Sequence, residues 1–132
     1  MVQGTNNSFD DKIRVNWKSV RDVDNEGYNV RQANTGLHQL YGDSYFDEPF
    51  DNGTSRSVGS FNEAYGHRWS VRKYRELLPE AVHLPKPQQH QWIYFGMFPN
   101  FVLGLYPDRV IFYQDIPQSA TQTLQRGMCY RR

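Results

Sequence analysis

Four runs of branched and aromatic residues fill the last third of the chain, joined by connections of only a few residues. Gln91 to Phe98 carries Trp92, Ile93, Tyr94, Phe95 and Phe98, and Phe101 to Tyr106 is closed by the turn pair Pro107-Asp108. Arg109 to Ile116 carries Val110, Ile111, Phe112 and Tyr113, and Thr121 to Tyr130 alternates Thr, Leu, Met and Tyr with Gln and Arg. Parallel strands need a crossover of a dozen or more residues. Connections this short therefore predict an antiparallel meander of three or four strands.

Upstream, Ile13, Trp17, Val20 and Val23 recur at steps of four, three and three, the spacing of one helix face. The reading is one helix over 16–33, stopped near Asn34-Thr35-Gly36 by glycine. Residues 42–56 are turn-rich and read as a surface loop. Ser57 to Ala64 and Trp69 to Tyr74 read as short strands, and Tyr74 to Leu78 as a turn or two of helix ended by Pro79. Pro85 and Pro87 open a linker. Residues 1–11 are polar and read as a flexible tail, leaving 12–132 as one domain. The predicted class is α+β, an antiparallel sheet packing one face on a helix.

A chain of 132 residues suits a single domain with its own core. The aliphatic share is low, but nine Tyr, eight Phe and three Trp supply core area. One cysteine excludes an internal disulfide or a Cys-built metal site. A net charge of +1 offers no basic footprint for nucleic acid. No apolar run could cross a bilayer, and no leader is visible, so a cytoplasmic protein is expected.

The stretch from Asn16-Trp17-Lys18 through Glu26-Gly27-Tyr28-Asn29 to Asn34-Thr35-Gly36-Leu37-His38 resembles the iron-site helix of the Rieske-type ring-hydroxylating oxygenases, in the catalytic domain of the large (alpha) subunit. Met97-Phe98-Pro99-Asn100-Phe101 to Val110 resembles the strands that wall that family's substrate pocket, and Gln125-Arg126-Gly127 to Arg132 continues the likeness. The resemblance implies a helix-grip fold, here incomplete at its C-terminus. It implies an oxidoreductase that uses mononuclear non-haem Fe(II) to oxygenate an aromatic or similar apolar substrate. Two imidazoles and one carboxylate on one side of the ion leave positions open for oxygen and substrate. Glu26 falls at the position of the acid that bridges to a cluster-bearing domain of the neighbouring subunit. Asn29 and Asn34 fall at the positions of the two iron-ligand histidines. Trp92, Tyr94, Phe98, Phe101, Leu103 and Leu105 fall on the pocket strands. The family's third ligand, an Asp, comes later than residue 132 in its order, and its cluster domain has no counterpart here.

The departure falls on the ligands themselves. A neutral carboxamide is a weak donor where imidazole suits Fe(II), so the chain alone is expected to hold no iron and to be inactive. Two other readings stand beside a fragment or degenerate oxygenase: an iron-free helix-grip module for an apolar ligand, and an assembly subunit in a homo-oligomer. His38, His67, His83 and His90 share no ligand spacing and read as surface residues.

Overall fold

The computed structural model describes residues 5–25, 27 and 29–131. Its elements are β1 (Thr5–Ile13), α1 (Trp17–Asn25), α2 (Asn29–Ala33), α3 (Thr35–Tyr41), β2 (Phe46–Pro49), β3 (Thr54–Ser60), α4 (Trp69–Leu77), β4 (Gln91–Met97), β5 (Phe101–Leu105), β6 (Arg109–Ser119) and β7 (Gln122–Arg131). The seven strands form one sheet in the order β1-β7-β6-β5-β4-β3-β2, every neighbouring pair antiparallel. The meander over β4–β7 is as the sequence predicts, and the class is α+β.

Within the segment expected as a tail, the described residues from Thr5 on form a strand. Thr5–Ile13 pairs with β7 along its whole length, from Thr5 opposite Arg131 to Ile13 opposite Thr123. Its polar residues hide the strand from a hydrophobicity reading because most of them are exposed at the sheet edge. Asp10 receives two bonds from the Arg126 guanidinium, at 2.9 and 3.1 Å, and that pairing holds its carboxyl below the usual range. Phe9 faces Gly127, where a Cβ would lie 2.8 Å from the phenyl ring.

The helix expected over 16–33 is two helices, α1 and α2. Asn16 Oδ1 accepts from the Lys18 amide at 2.9 Å and starts α1. The break comes at Gly27. Its amide donates to Asp47 Oδ2 at 3.1 Å, and a Cβ there would stand 2.1 Å from that oxygen. Only glycine lets the chain come this close to β2. Asn34 and Gly36, expected to end a helix, instead start one. Asn34 caps α3, its side chain accepting from the Leu37 amide at 3.3 Å.

Two further expectations change. The 42–56 region holds β2 and the start of β3, joined by a tight turn with Gly53 at φ 77°. Trp69–Leu77 is helix rather than strand, because Val71 and Tyr74 lie one turn apart against α3 while Trp69 and Leu77 are exposed. Arg75 fastens this helix, donating to the Leu40 carbonyl at 2.9 Å and the Asn62 carbonyl at 2.6 Å.

The core lies on the face of the sheet covered by α3 and α4. Leu40, Tyr41 and Val71 are buried, and Leu37, Phe61, Tyr74 and Trp92 pack on them. Trp92 is the hub. Its ring meets Tyr106 at 4.8 Å, Tyr74 at 5.6 Å and Tyr41 at 5.7 Å between centroids, all edge-on. Its Nε1 donates to the Tyr74 hydroxyl at 2.8 Å. Edge-to-face rings add to the gain from area buried, which is how a chain poor in aliphatics builds a core.

Candidate functional site

Beside this core, α1–α3 arch over strands β3–β6 and leave a cavity of about 350 Å³. The volume suits a small organic molecule. Val30, Ala33 and Leu37 give the helical side an apolar lining, and Gly96 and Val102 keep the sheet side low. Tyr45, Tyr94 and Tyr113 supply aromatic walls. Among the described residues no Lys, Arg or His lines it, and Asp24 is the one carboxylate.

Period-two alternation decides which strand residues reach the cavity. Register places Tyr94 opposite Gly104 and Gly96 opposite Val102, and Val102 opposite Tyr113. These even-numbered residues of β4 and β5 share the helical face with Tyr113 of β6. Ile93, Phe95, Leu103 and Leu105 point to the other side.

The polar end lies where α1 meets β6. The Tyr113 hydroxyl donates to Asp24 Oδ2 at 3.0 Å, and Arg21 Nη1 stands 3.8 Å from the same oxygen. Burial pushes the Asp24 carboxyl up, against the opposing effects of the Tyr113 bond and the Arg21 charge. Burial also raises the Tyr113 phenol, and the Asp24 charge adds to it. Below this pair Asp115 is fully buried. Its Oδ1 accepts from Gln125 Nε2 at 3.0 Å, its Oδ2 has no donor among the described residues, and burial raises its pKa. On the opposite wall burial pushes the Tyr45 phenol up to about 12.

Of the residues singled out from the sequence, Asn34 and Tyr94 line the cavity. Glu26 lies outside the described residues. Asn29 opens α2. Trp92 is on the correct face but belongs to the core. Phe98 stands 79% exposed after β4. Phe101 and Leu103 lie on the reverse face, and Leu105 lines a different recess there. Val102, which lines the cavity instead, lies one position out of phase with Phe101 and Leu103, and Tyr113 stands on β6, from which no pocket residue was expected. Asp24, Tyr45 and Tyr113 come together only through tertiary packing.

The donor set does not fit an iron ion. Asn29 and Asn34 are carboxamides, and the Asn34 carbonyl oxygen is engaged by the Leu37 amide. No group of three His, Cys, Asp or Glu side chains among the described residues is placed to hold a metal.

The model of the ring hydroxylating alpha subunit (catalytic domain) family matches residues 4–132. No curated protein sequence matches the chain. Among solved structures, a quaternary ammonium Rieske monooxygenase described in carnitine oxidation by gut microbiota superposes with a TM-score of 0.68 at 17% identity, over 97% of this chain and 31% of that one. Naphthalene 1,2-dioxygenase from Rhodococcus sp., bound to indole, superposes with a TM-score of 0.59 at 13% identity, over 95% of this chain and 34% of that one. At these identities the likeness is one of fold. The chain spans about a third of the length of the subunits it matches. No helix among the described residues is long and apolar enough to cross a membrane.

Proposed function

The chain belongs to the family of ring-hydroxylating oxygenase alpha subunits, catalytic domain, and from that premise we propose that it is a degenerate form of the domain that keeps the substrate cavity and has lost the iron ligands. One observation carries this reading: Asn34, at the second histidine position, lines the cavity while its carbonyl oxygen caps α3. The position has exchanged a metal-binding side chain for one that stabilises a helix start.

What remains is a pocket that selects by shape and polarity. Val30, Leu37 and Val102 remove apolar surface from water, worth about 25 cal/mol per Å² buried. Asp24 and Tyr113 offer hydrogen bonds at one end, so the natural occupant is an apolar or aromatic small molecule with one polar group. Glu26 retains the place of the bridging acid, toward a cluster-bearing domain of a neighbouring subunit in a homo-oligomer.

A second occupant is favoured by a separate feature of the lining. Three tyrosines and a carboxylate, with no cationic side chain among the described lining residues, suit an organic cation such as a quaternary ammonium head. The quaternary ammonium monooxygenase of similar fold acts on this class.

Calorimetric titration of the 132-residue chain with indole and with tetramethylammonium separates the two occupants, and Asn34→Trp, which fills the cavity, should abolish either. Iron analysis after incubation with Fe(II) should find none bound, whereas the Asn29→His, Asn34→His double variant should gain Fe(II) affinity. Stoichiometric iron in the unaltered chain, or a flat titration with both probes, overturns the reading.

A further inference from the structure

A second recess, of about 700 Å³, opens on the reverse face of the sheet near the β5–β6 turn, with residues 83–88 along one wall. Its floor is aliphatic and aromatic: Ile93, Phe95, Leu105 and Val110, which register sets side by side across β4, β5 and β6. The rim is cationic. Arg56, Arg109 and Arg131 all line the recess.

Two features of that rim ask for an anion. Arg109 and Arg131 stand directly opposite each other across β6 and β7, an arrangement of like charges that disfavours the strand pair. Arg109 lies over the Tyr106 ring at 4.9 Å, and its Nε is buried with no acceptor among the described residues. Arg56 gives its Nη2 to Glu48 at 2.5 Å, yet its Nε is likewise buried without an acceptor. Asp108 is the one carboxylate among the described lining residues, and its buried Oδ1 has no donor among them. With Arg56 matched by Glu48, two guanidinium groups face this single acid. Charge-assisted bonds from guanidinium to carboxylate are about twice as strong as neutral ones, so guanidinium groups lining an apolar recess are a strong basis for recognition.

We propose that this recess is a second ligand site, distinct from the Asn34 cavity, which takes an organic monoanion with an apolar body, such as an aryl or medium-chain carboxylate. The carboxylate sits among the arginines and the body lies on the Ile93–Leu105 floor. The assignment is independent of what fills the first cavity, because the two share no lining residue among those described.

The test is calorimetric titration of the full chain with 2-naphthoate, with neutral 2-naphthamide and with acetate. Saturable one-to-one binding of naphthoate, at least tenfold weaker binding of the amide and none of acetate are expected. Arg109→Gln and Arg131→Gln should each weaken naphthoate about tenfold or more. Arg131, at the strand end, keeps the test valid if the Arg109 variant fails to fold. Saturating indole, and Asn34→Trp, should leave naphthoate binding unchanged. Equal affinity for acid and amide, indifference to both arginine variants, or displacement by indole would each overturn the assignment.

Discussion

Tyr113 on β6 and Asp24 on α1 meet at 3.0 Å through a hydroxyl–carboxylate bond that ties the first helix to the middle of the sheet. The residues lie 89 positions apart, so this contact forms only when the N-terminal helix docks on the C-terminal meander. It also sets the polarity of one end of the cavity, because both side chains line it.

Removing the hydroxyl should therefore act on charge and on docking together. In Tyr113→Phe the Asp24 carboxyl loses the bond that holds its pKa down, while burial, which pushes it up, remains. The Asp24 pKa should rise further, as read by carboxyl NMR titration. Global stability should fall by about 1 kcal/mol, the net worth of one such bond. An unchanged Asp24 titration would mean the hydroxyl does not reach the carboxylate in solution.

Gly59 on β3 is where the core presses hardest on the backbone. A Cβ there would lie 2.4 Å from Cε1 of Tyr41, which is fully buried. Gly59→Ala should cost about 1–3 kcal/mol, the range for overpacking a well-filled core. Adding Tyr41→Leu should recover part of that loss despite being a large-to-small change. Denaturant midpoints of the two single variants and the double variant measure the coupling.

The legible parts of the fold are those where neighbours in sequence carry the signal. The aromatic runs of β4–β7 were read correctly because alternation and turn residues are local properties. β1 was not legible: an edge strand with polar, exposed residues has the composition of a loop, and only pairing with β7 gives it order. The break at Gly27 depends on Asp47, twenty residues on. In the candidate site, Asn34 and Tyr94 line the cavity, whereas Phe101, Leu103 and Leu105 face the other side of the sheet. All residues of β5 are apolar apart from its glycine, so composition did not distinguish the faces. Only register, with Val102 opposite Gly96, does so.

Alkaline pH should weaken the core in a predictable direction. Burial pushes the phenols of Tyr45 and Tyr74 up to about 12, from an unfolded value near 10. Between those values the folded chain holds protons that the unfolded chain has released, so stability falls as pH rises through that interval. Denaturant midpoints measured from pH 8 to 11.5 should decline above pH 10. Tyr74→Phe should be less stable at pH 8, having lost the acceptor for Trp92 Nε1, but should show a shallower alkaline decline. An equal slope would show that Tyr74 ionises normally in the folded chain.

Asn34 offers the sharpest separation of a structural from an ancestral role. Its Oδ1 accepts from the Leu37 amide at 3.3 Å and begins α3, the helix that brings Leu40 and Tyr41 into the core. Asn, Asp and Ser are strong N-caps, and replacing one by a non-capping residue costs about 0.5–2 kcal/mol. Asn34→Asp and Asn34→Ser should therefore keep near-native stability, and Asn34→Ala should lose about 1 kcal/mol. Asn34→His, the residue that the proposed reading places here in the parent family, should be destabilised like alanine without metal. Thermal unfolding of the four variants ranks them. If histidine proves as stable as asparagine, the cap is not what holds a carboxamide at this position.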